Sequence, residues 1–139
     1  MIKNFSILST VEVSCDGQVY DLHSDYEATK VEHDLIANAL VLSWRATREG
    51  LPQKLSLKFG KLEILVLRGP DVEMPRSEDG HLSFIGYSSP EDEGMDSFLL
   101  EEMADHDSRI IFNFEGGLVM KVYAATAFLL VEDGSGPVA

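Results

Sequence analysis

A histidine and two carboxylates stand at a spacing that could support metal binding. His23, Asp25 and Glu27 occupy positions i, i+2 and i+4 of a predicted strand, so their side chains would project from one face. Imidazole and carboxylate groups together can hold zinc or iron, which makes these three residues the candidate metal ligands. The alternative is the solvent-facing side of a hairpin, and we favour it because spacing alone shows no groups that would orient the ligands.

Aromatic side chains form a second candidate site. Tyr26 and Trp44 lie on predicted strands, where they could line a ligand pocket between sheets. Aromatic residues on strands more often belong to the core, and both interpretations stay open. The chain has no nucleophile elbow, phosphate-binding loop, zincin motif or dinucleotide fingerprint, so we predict no cofactor. These absences argue against an enzyme but do not exclude one assembled from scattered residues.

The acidic residues are concentrated in one part of the chain. The net charge is −13, and residues 71–107 carry twelve acidic residues against one arginine. This acidic segment therefore holds −11, and the rest of the chain only −2. Negative charge repels phosphate backbones and anionic headgroups, so we expect neither nucleic acid nor membrane as a partner. Such a field can speed encounter with a cationic protein by roughly 10 to 10³-fold at low salt.

Six carboxylates of the acidic segment are the candidate partner-binding residues. The alternative is that the charge only keeps the protein soluble. Mimicry of nucleic acid toward a basic DNA-binding protein is a third hypothesis. A homodimer is also considered, because an edge strand as apolar as 118–131 would invite pairing. The six residues are Glu91, Asp92, Glu93, Asp96, Glu101 and Glu102.

The cysteine count and the N-terminal residues bear on the compartment. Cys15 is the only cysteine, which excludes an internal disulfide and favours a reducing environment. The first residues lack the apolar core of a secretory leader, and no run approaches the roughly 18–20 apolar residues that span a bilayer. We therefore expect a cytoplasmic protein.

Alternation of apolar and polar residues with a period of two predicts the elements that position these sites. Asp16-Gly17 between two alternating runs predicts a hairpin with a type I′ turn, and Gly116-Gly117 predicts a second hairpin. Gly60 is expected to interrupt a strand. The predicted strands cover about 5–15, 18–29, 35–47, 54–59, 62–67, 82–87, 109–114 and 118–131.

The fold class follows from this pattern. We predict a mainly β protein, an antiparallel sandwich or partly open barrel of about eight strands. One or two short helices are expected between Ser89 and Met103, where an N-cap serine precedes proline and acidic residues. Residues 1–131 are predicted to form a single domain, and residues 132–139 a flexible tail.

Three stretches of sequence carry a resemblance to known proteins. His23-Ser24-Asp25-Tyr26-Glu27, Leu55-x-Leu57-x-Phe59 and Ile111-x-x-Phe114-Glu115-Gly116-Gly117 look like small uncharacterised bacterial β-rich proteins. Some similar families serve as immunity proteins beside secreted toxins. The resemblance implies a bacterial, non-enzymatic interaction protein of immunity or inhibitor type, which would dock a basic partner through the acidic segment. The alternative is a small-molecule or metal-binding β module, or a small enzyme.

Overall fold

The computed structural model describes residues 1–73, 80–92, 94 and 99–132. Within this range the chain forms ten strands and a 3-10 turn at Glu101–Met103. The tail predicted from residue 132 lies outside the described residues, except that Glu132 ends the last strand. The strands are β1 (Ile2–Lys3), β2 (Ser6–Ile7), β3 (Glu12–Cys15), β4 (Gln18–Asp21), β5 (Tyr26–Asp34), β6 (Ala39–Ala46), β7 (Lys54–Arg68), β8 (Leu82–Ser88), β9 (Arg109–Phe114) and β10 (Val119–Glu132).

The main sheet has the strand order β5-β6-β7-β10-β9-β8, with β1 added parallel to β10. The six strands of that order run antiparallel and curl into a half-barrel, and β2-β3-β4 form a small second sheet. The predicted mainly β, antiparallel architecture is confirmed. The region predicted to be helical contains only the 3-10 turn among its described residues, and residues 93 and 95–98 lie outside them. No helix in the described chain is long and apolar enough to cross a membrane.

Both predicted hairpins form. Asp16 and Gly17 have φ of 51° and 78°, the positive values that a type I′ turn needs, and they join β3 to β4. Gly117, with φ of 96°, lies in the turn between β9 and β10. At this second turn glycine adopts a backbone conformation that other residues adopt only with strain.

Three expected strands differ from the structure because short polar side chains bind the backbone. The strand predicted for 18–29 is split, since the Asp21 carboxylate accepts the N–H groups of His23 and Ser24 at 2.9 and 2.8 Å. Asp34 likewise accepts two N–H groups of the turn that precedes β6. Ser9 divides the first predicted strand in the same way. Each side chain replaces a ladder hydrogen bond with a local one.

The interruption expected at Gly60 is absent. β7 runs without a break from Lys54 to Arg68. A Cβ atom at Gly60 would lie 2.6 Å from the Thr126 hydroxyl oxygen on β10, so glycine allows the two long strands to approach. The pairing register of β7 and β10 shifts between Tyr123 and Ala124, close to this contact.

The core lies on the concave side of the half-barrel. Trp44 and Phe59 each place their ring centroid 6.3 Å from that of Phe112. The small sheet covers one side of this cluster with buried Ile7, Val13 and other apolar residues. Burial of these side chains gives most of the stabilisation that holds the two sheets together.

Replacing Gly60 with alanine tests the close approach of β7 and β10. We expect the free energy of unfolding to fall by about 1–3 kcal/mol, since the methyl group overlaps the Thr126 side chain. In a Thr126→Ala background the same substitution should cost less. Urea unfolding of the four chains measures the coupling, and equal losses in both backgrounds would show that Thr126 is not the obstacle.

Candidate functional site: the acidic segment

The loop that follows β8 in the acidic segment lies over the outer face of the main sheet. Lys121 stands on β10 between Met120 and Val122, which belong to the core, so its side chain leaves the opposite face. Lys121 is nevertheless only 6% exposed. Its ammonium group donates to the carbonyl oxygens of Asp92 at 2.9 Å and Gly94 at 2.5 Å. A buried lysine therefore anchors the segment through its backbone.

A cluster of three polar side chains forms the second anchor. Lys3 on β1 donates to Glu101 Oε1 at 2.9 Å and also to the hydroxyl oxygen of Tyr87 on β8. Tyr87 in turn donates its hydroxyl hydrogen to Glu101 Oε2, which also accepts the backbone N–H of Ile7 at 3.1 Å. The Lys3 ammonium lies 4.5 Å from the Tyr87 ring centroid, within cation–π range. The cluster joins β1, β2, β8 and the 3-10 turn.

The protonation states in this cluster follow from opposing effects. Burial acts to raise the pKa of Glu101, but hydrogen bonds from Tyr87, Lys3 and the Ile7 N–H outweigh it and lower the pKa below its ordinary value. Burial first, and then the hydrogen bond and negative charge of Glu101, raise the pKa of the Tyr87 hydroxyl. At neutral pH Glu101 is therefore ionised and Tyr87 is a neutral donor.

Tyr87 also fixes the segment through its backbone. Its N–H donates to the carbonyl oxygen of Leu99 at 3.0 Å, and the Leu99 N–H donates back to the Tyr87 carbonyl oxygen. This isolated bridge pairs Leu99 with the outer edge of β8. The segment is thus held at Asp92, Gly94, Leu99 and Glu101.

The anchors leave most of the described carboxylates of the segment without an ion pair to another described residue. Among them, Glu101 alone forms such a pair, with Lys3. Glu91, Glu102 and Asp105 are exposed. The Ser89 hydroxyl donates to Glu91, and this hydrogen bond lowers the pKa of the Glu91 carboxyl. Since Lys121 binds carbonyl oxygens, its charge is not paired with these exposed carboxylates.

The six predicted partner-binding residues occupy different environments. Glu91 and Glu102 face solvent, whereas the Asp92 carboxylate accepts the Gly94 N–H at 2.8 Å and shapes the loop. Glu101 belongs to the half-buried cluster with Lys3 and Tyr87. Glu93 and Asp96 lie outside the described residues. The anchoring residues Lys3, Tyr87 and Lys121 were not predicted from the sequence. Lys121 had a signal, because a lone lysine in the apolar run 118–131 indicates a buried cation.

The predicted metal ligands contact separate partners. His23 Nδ1 lies 2.6 Å from the Leu82 carbonyl oxygen. Asp25 lies 3.4 Å from the Arg48 guanidinium, and Glu27 lies 3.8 Å from that of Arg45. The turn after Asp21 removes the common strand face on which the prediction depended. Among the described residues, no group of three or more histidine, cysteine, aspartate or glutamate side chains is placed to hold a metal ion.

The predicted ligand-binding aromatics are core residues. Tyr26 and Trp44 are 1% and 0% exposed. The Tyr26 hydroxyl donates to the Pro52 carbonyl oxygen at 2.9 Å. The Trp44 indole N–H is buried and has no hydrogen-bond acceptor in the described structure. An unpaired buried donor is uncommon, and this one distinguishes Trp44 from the other core aromatics.

The Glu101 cluster predicts a pH-dependent stability. Because the folded pKa of Glu101 lies below its ordinary value, its contribution is complete above about pH 5 and is lost as pH falls through the folded pKa. Glu101→Gln should lower the unfolding free energy at pH 7 by about 1–2 kcal/mol, a figure kept small because the side chain is partly exposed. Urea unfolding at a series of pH values should show the difference in unfolding free energy between wild type and Glu101→Gln shrinking as the pH falls into the acid range. Glu102→Gln is the matched control, and an equal loss there would contradict the assignment.

Similarity to known proteins adds nothing to this description of the site. Comparisons with protein-family models, with curated proteins and with solved structures found no match to the chain. The function is therefore argued from the arrangement of the described residues and from the charge of the sequence.

Proposed function

We propose that the protein is a non-enzymatic, cytoplasmic interaction protein of immunity or inhibitor type that docks a basic partner through the acidic segment. The observation that carries the proposal is that the segment is anchored without being neutralised. Lys121 binds backbone carbonyl oxygens and Lys3 binds Glu101, while Glu91, Glu102 and Asp105 face solvent without a described ion pair. The immunity or inhibitor type is what the sequence resemblance implies, and the docking role is what the anchored carboxylates support.

Anchoring matters because it lowers the entropy lost on binding. A mobile acidic tail must be ordered when it docks, whereas a loop held at Asp92, Gly94, Leu99 and Glu101 is already in place. Exposed ion pairs contribute little individually, about 0–1 kcal/mol each. The expected partner is therefore a protein with a broad basic surface, and added salt should weaken the complex because the Debye length is only about 8 Å at physiological ionic strength.

Within this proposal the acidic residues have different roles. Glu91, Glu102 and Asp105 are exposed contacts in the part of the segment that follows β8, and Glu93 and Asp96 stay predicted contacts from the sequence. Glu101 is a positioning residue, since its carboxylate already accepts three hydrogen bonds.

A charge-matched pair of triple variants tests the proposal. Glu91→Gln/Glu102→Gln/Asp105→Asn removes three exposed charges from the acidic segment, and Glu49→Gln/Glu63→Gln/Glu132→Gln removes three exposed charges elsewhere. We expect the first variant, but not the second, to lose capture of a basic protein from low-salt lysate of the native host. The captured protein, once purified, should bind wild type about tenfold or more tightly than the first variant by calorimetry. Equal binding by the two variants, or a partner without basic character, would contradict the proposal.

The unpaired Trp44 N–H favours a second candidate function, the binding of a small molecule at the depression of about 380 Å³ that Trp44 lines with Arg45 and Lys54. A buried donor without an acceptor costs about 1–3 kcal/mol, which a ligand carbonyl or carboxylate oxygen would recover. Trp44 is the single tryptophan, so its fluorescence reports on this position directly. A panel of metabolites that carry carbonyl or carboxylate groups should contain a compound that changes the fluorescence and raises Tm. Flat responses throughout would remove this candidate.

A further inference from the structure

The two outermost strands of the main sheet differ in how their free edges are used. An open sheet leaves unpaired N–H and C=O groups on each outermost strand. On β8 that edge is occupied, because the Ile85 N–H donates to the Thr10 carbonyl oxygen at 2.6 Å and Tyr87 pairs with Leu99. The free edge of β8 is therefore closed to another chain.

The free edge of β5 is unpaired along most of its length by the residues that the structure describes. Its Ala28 N–H donates to the Gly80 carbonyl oxygen at 2.9 Å. Beyond Ala28, no described residue other than those of β6 pairs with β5. Residues 29–34 are all exposed. This stretch is a template for an added strand.

The side chains along the open edge alternate in a self-complementary way. Lys30 and Glu32 lie opposite Ser43 and Val41 of β6, on the outer face, where they form an exposed ion pair with each other at 3.2 Å that pairing with a second copy would exchange for pairs between chains. Val31 lies opposite the core residue Leu42, on the inner face, yet is 42% exposed. The order along the edge is therefore positive, apolar, negative.

We propose that a second copy of this chain pairs with β5 edge to edge, antiparallel, around a two-fold axis at Val31. In this register each Lys30 lies opposite Glu32 of the other copy, and the two Val31 side chains meet on the inner face. Opposite charges directly across an antiparallel pair are stabilising. Moving the axis by one residue places two lysines or two glutamates opposite each other, so charge selects the register at Val31.

Exposed apolar side chains support the same partner. Leu35 and Ile36, at the tip of the β5–β6 hairpin, are 81% and 99% exposed. Val31 borders a depression of about 200 Å³ that Phe114 and Leu118 also line. An added β5 strand would border this depression and pair over residues 29–33, because Gly80 occupies the edge of β5 at Ala28. The surface is distinct from the exposed carboxylates that the proposed function uses.

Reciprocal charge changes on the exposed strand test the pairing. Wild type should show a concentration-dependent monomer–dimer equilibrium by sedimentation, weak because each copy carries −13. Lys30→Glu and Glu32→Lys should each weaken the dimer about tenfold or more, since attractive pairs become repulsive. The double variant Lys30→Glu/Glu32→Lys should restore it. Lys58→Glu and Glu63→Lys, at exposed positions of β7, are the matched controls and should leave the dimer unchanged.

Mixing the two single variants gives the sharpest outcome. Lys30→Glu and Glu32→Lys chains should form a mixed dimer, because every cross-strand pair is then opposite in charge. A wild type that stays monomeric up to its solubility limit overturns the proposal, as does a dimer indifferent to these substitutions. Slow hydrogen exchange at the Val31 and His33 amides in a strictly monomeric chain would also overturn it, because the chain itself would then cover the edge.

Discussion

The hydrogen-bonding requirement of open strand edges organises this molecule. A half-barrel that does not close leaves rows of backbone N–H and C=O groups, and each must find a partner. On β10 the Asn4 side chain meets this need past β1, donating to the Leu129 carbonyl oxygen at 2.9 Å and accepting its N–H at 2.7 Å. On β8 the edge groups of Ile85 and Tyr87 are paired with the backbone of Thr10 and Leu99. The N-terminal strands and the acidic segment are thus placed by the edges they complete.

The same requirement explains how a strongly acidic segment stays on the protein without neutralisation. Lys121 satisfies carbonyl oxygens, which need donors whatever the charge of the nearby side chains. Among its described carboxylates, only that of Glu101 joins a half-buried ion pair, where Tyr87 and the Ile7 N–H complete its hydrogen bonds. Because the anchoring groups are largely backbone, the segment keeps the negative field that a basic partner would meet.

The sequence predicted the strands better than their ends. Alternation located β9, β10 and the two parts of β7 on either side of Gly60, and Asp16-Gly17 located its hairpin, because these signals depend on adjacent residues. The alternation pattern failed at Asp21 and Asp34, because it continues through turns that these carboxylates form by accepting backbone N–H groups. The charge of the candidate site was also readable from composition. Its anchors were not, since Lys3 and Glu101 are 98 residues apart and meet only through the sheet topology.

The charged residues of β5 disfavour pairing with most other strands but favour pairing with a second copy of β5. Charged residues on an edge strand oppose indiscriminate pairing, because most incoming strands would place an unpaired or like charge against Lys30 or Glu32. The same alternation admits a strand with the reverse order, and an antiparallel copy of β5 has that order. β10, the most apolar strand, needs no such protection, since β7, β9, β1 and Asn4 cover its edges. The main sheet therefore buries its apolar strand in the middle and leaves a charged strand at the open edge, where charge can decide which chain pairs with it.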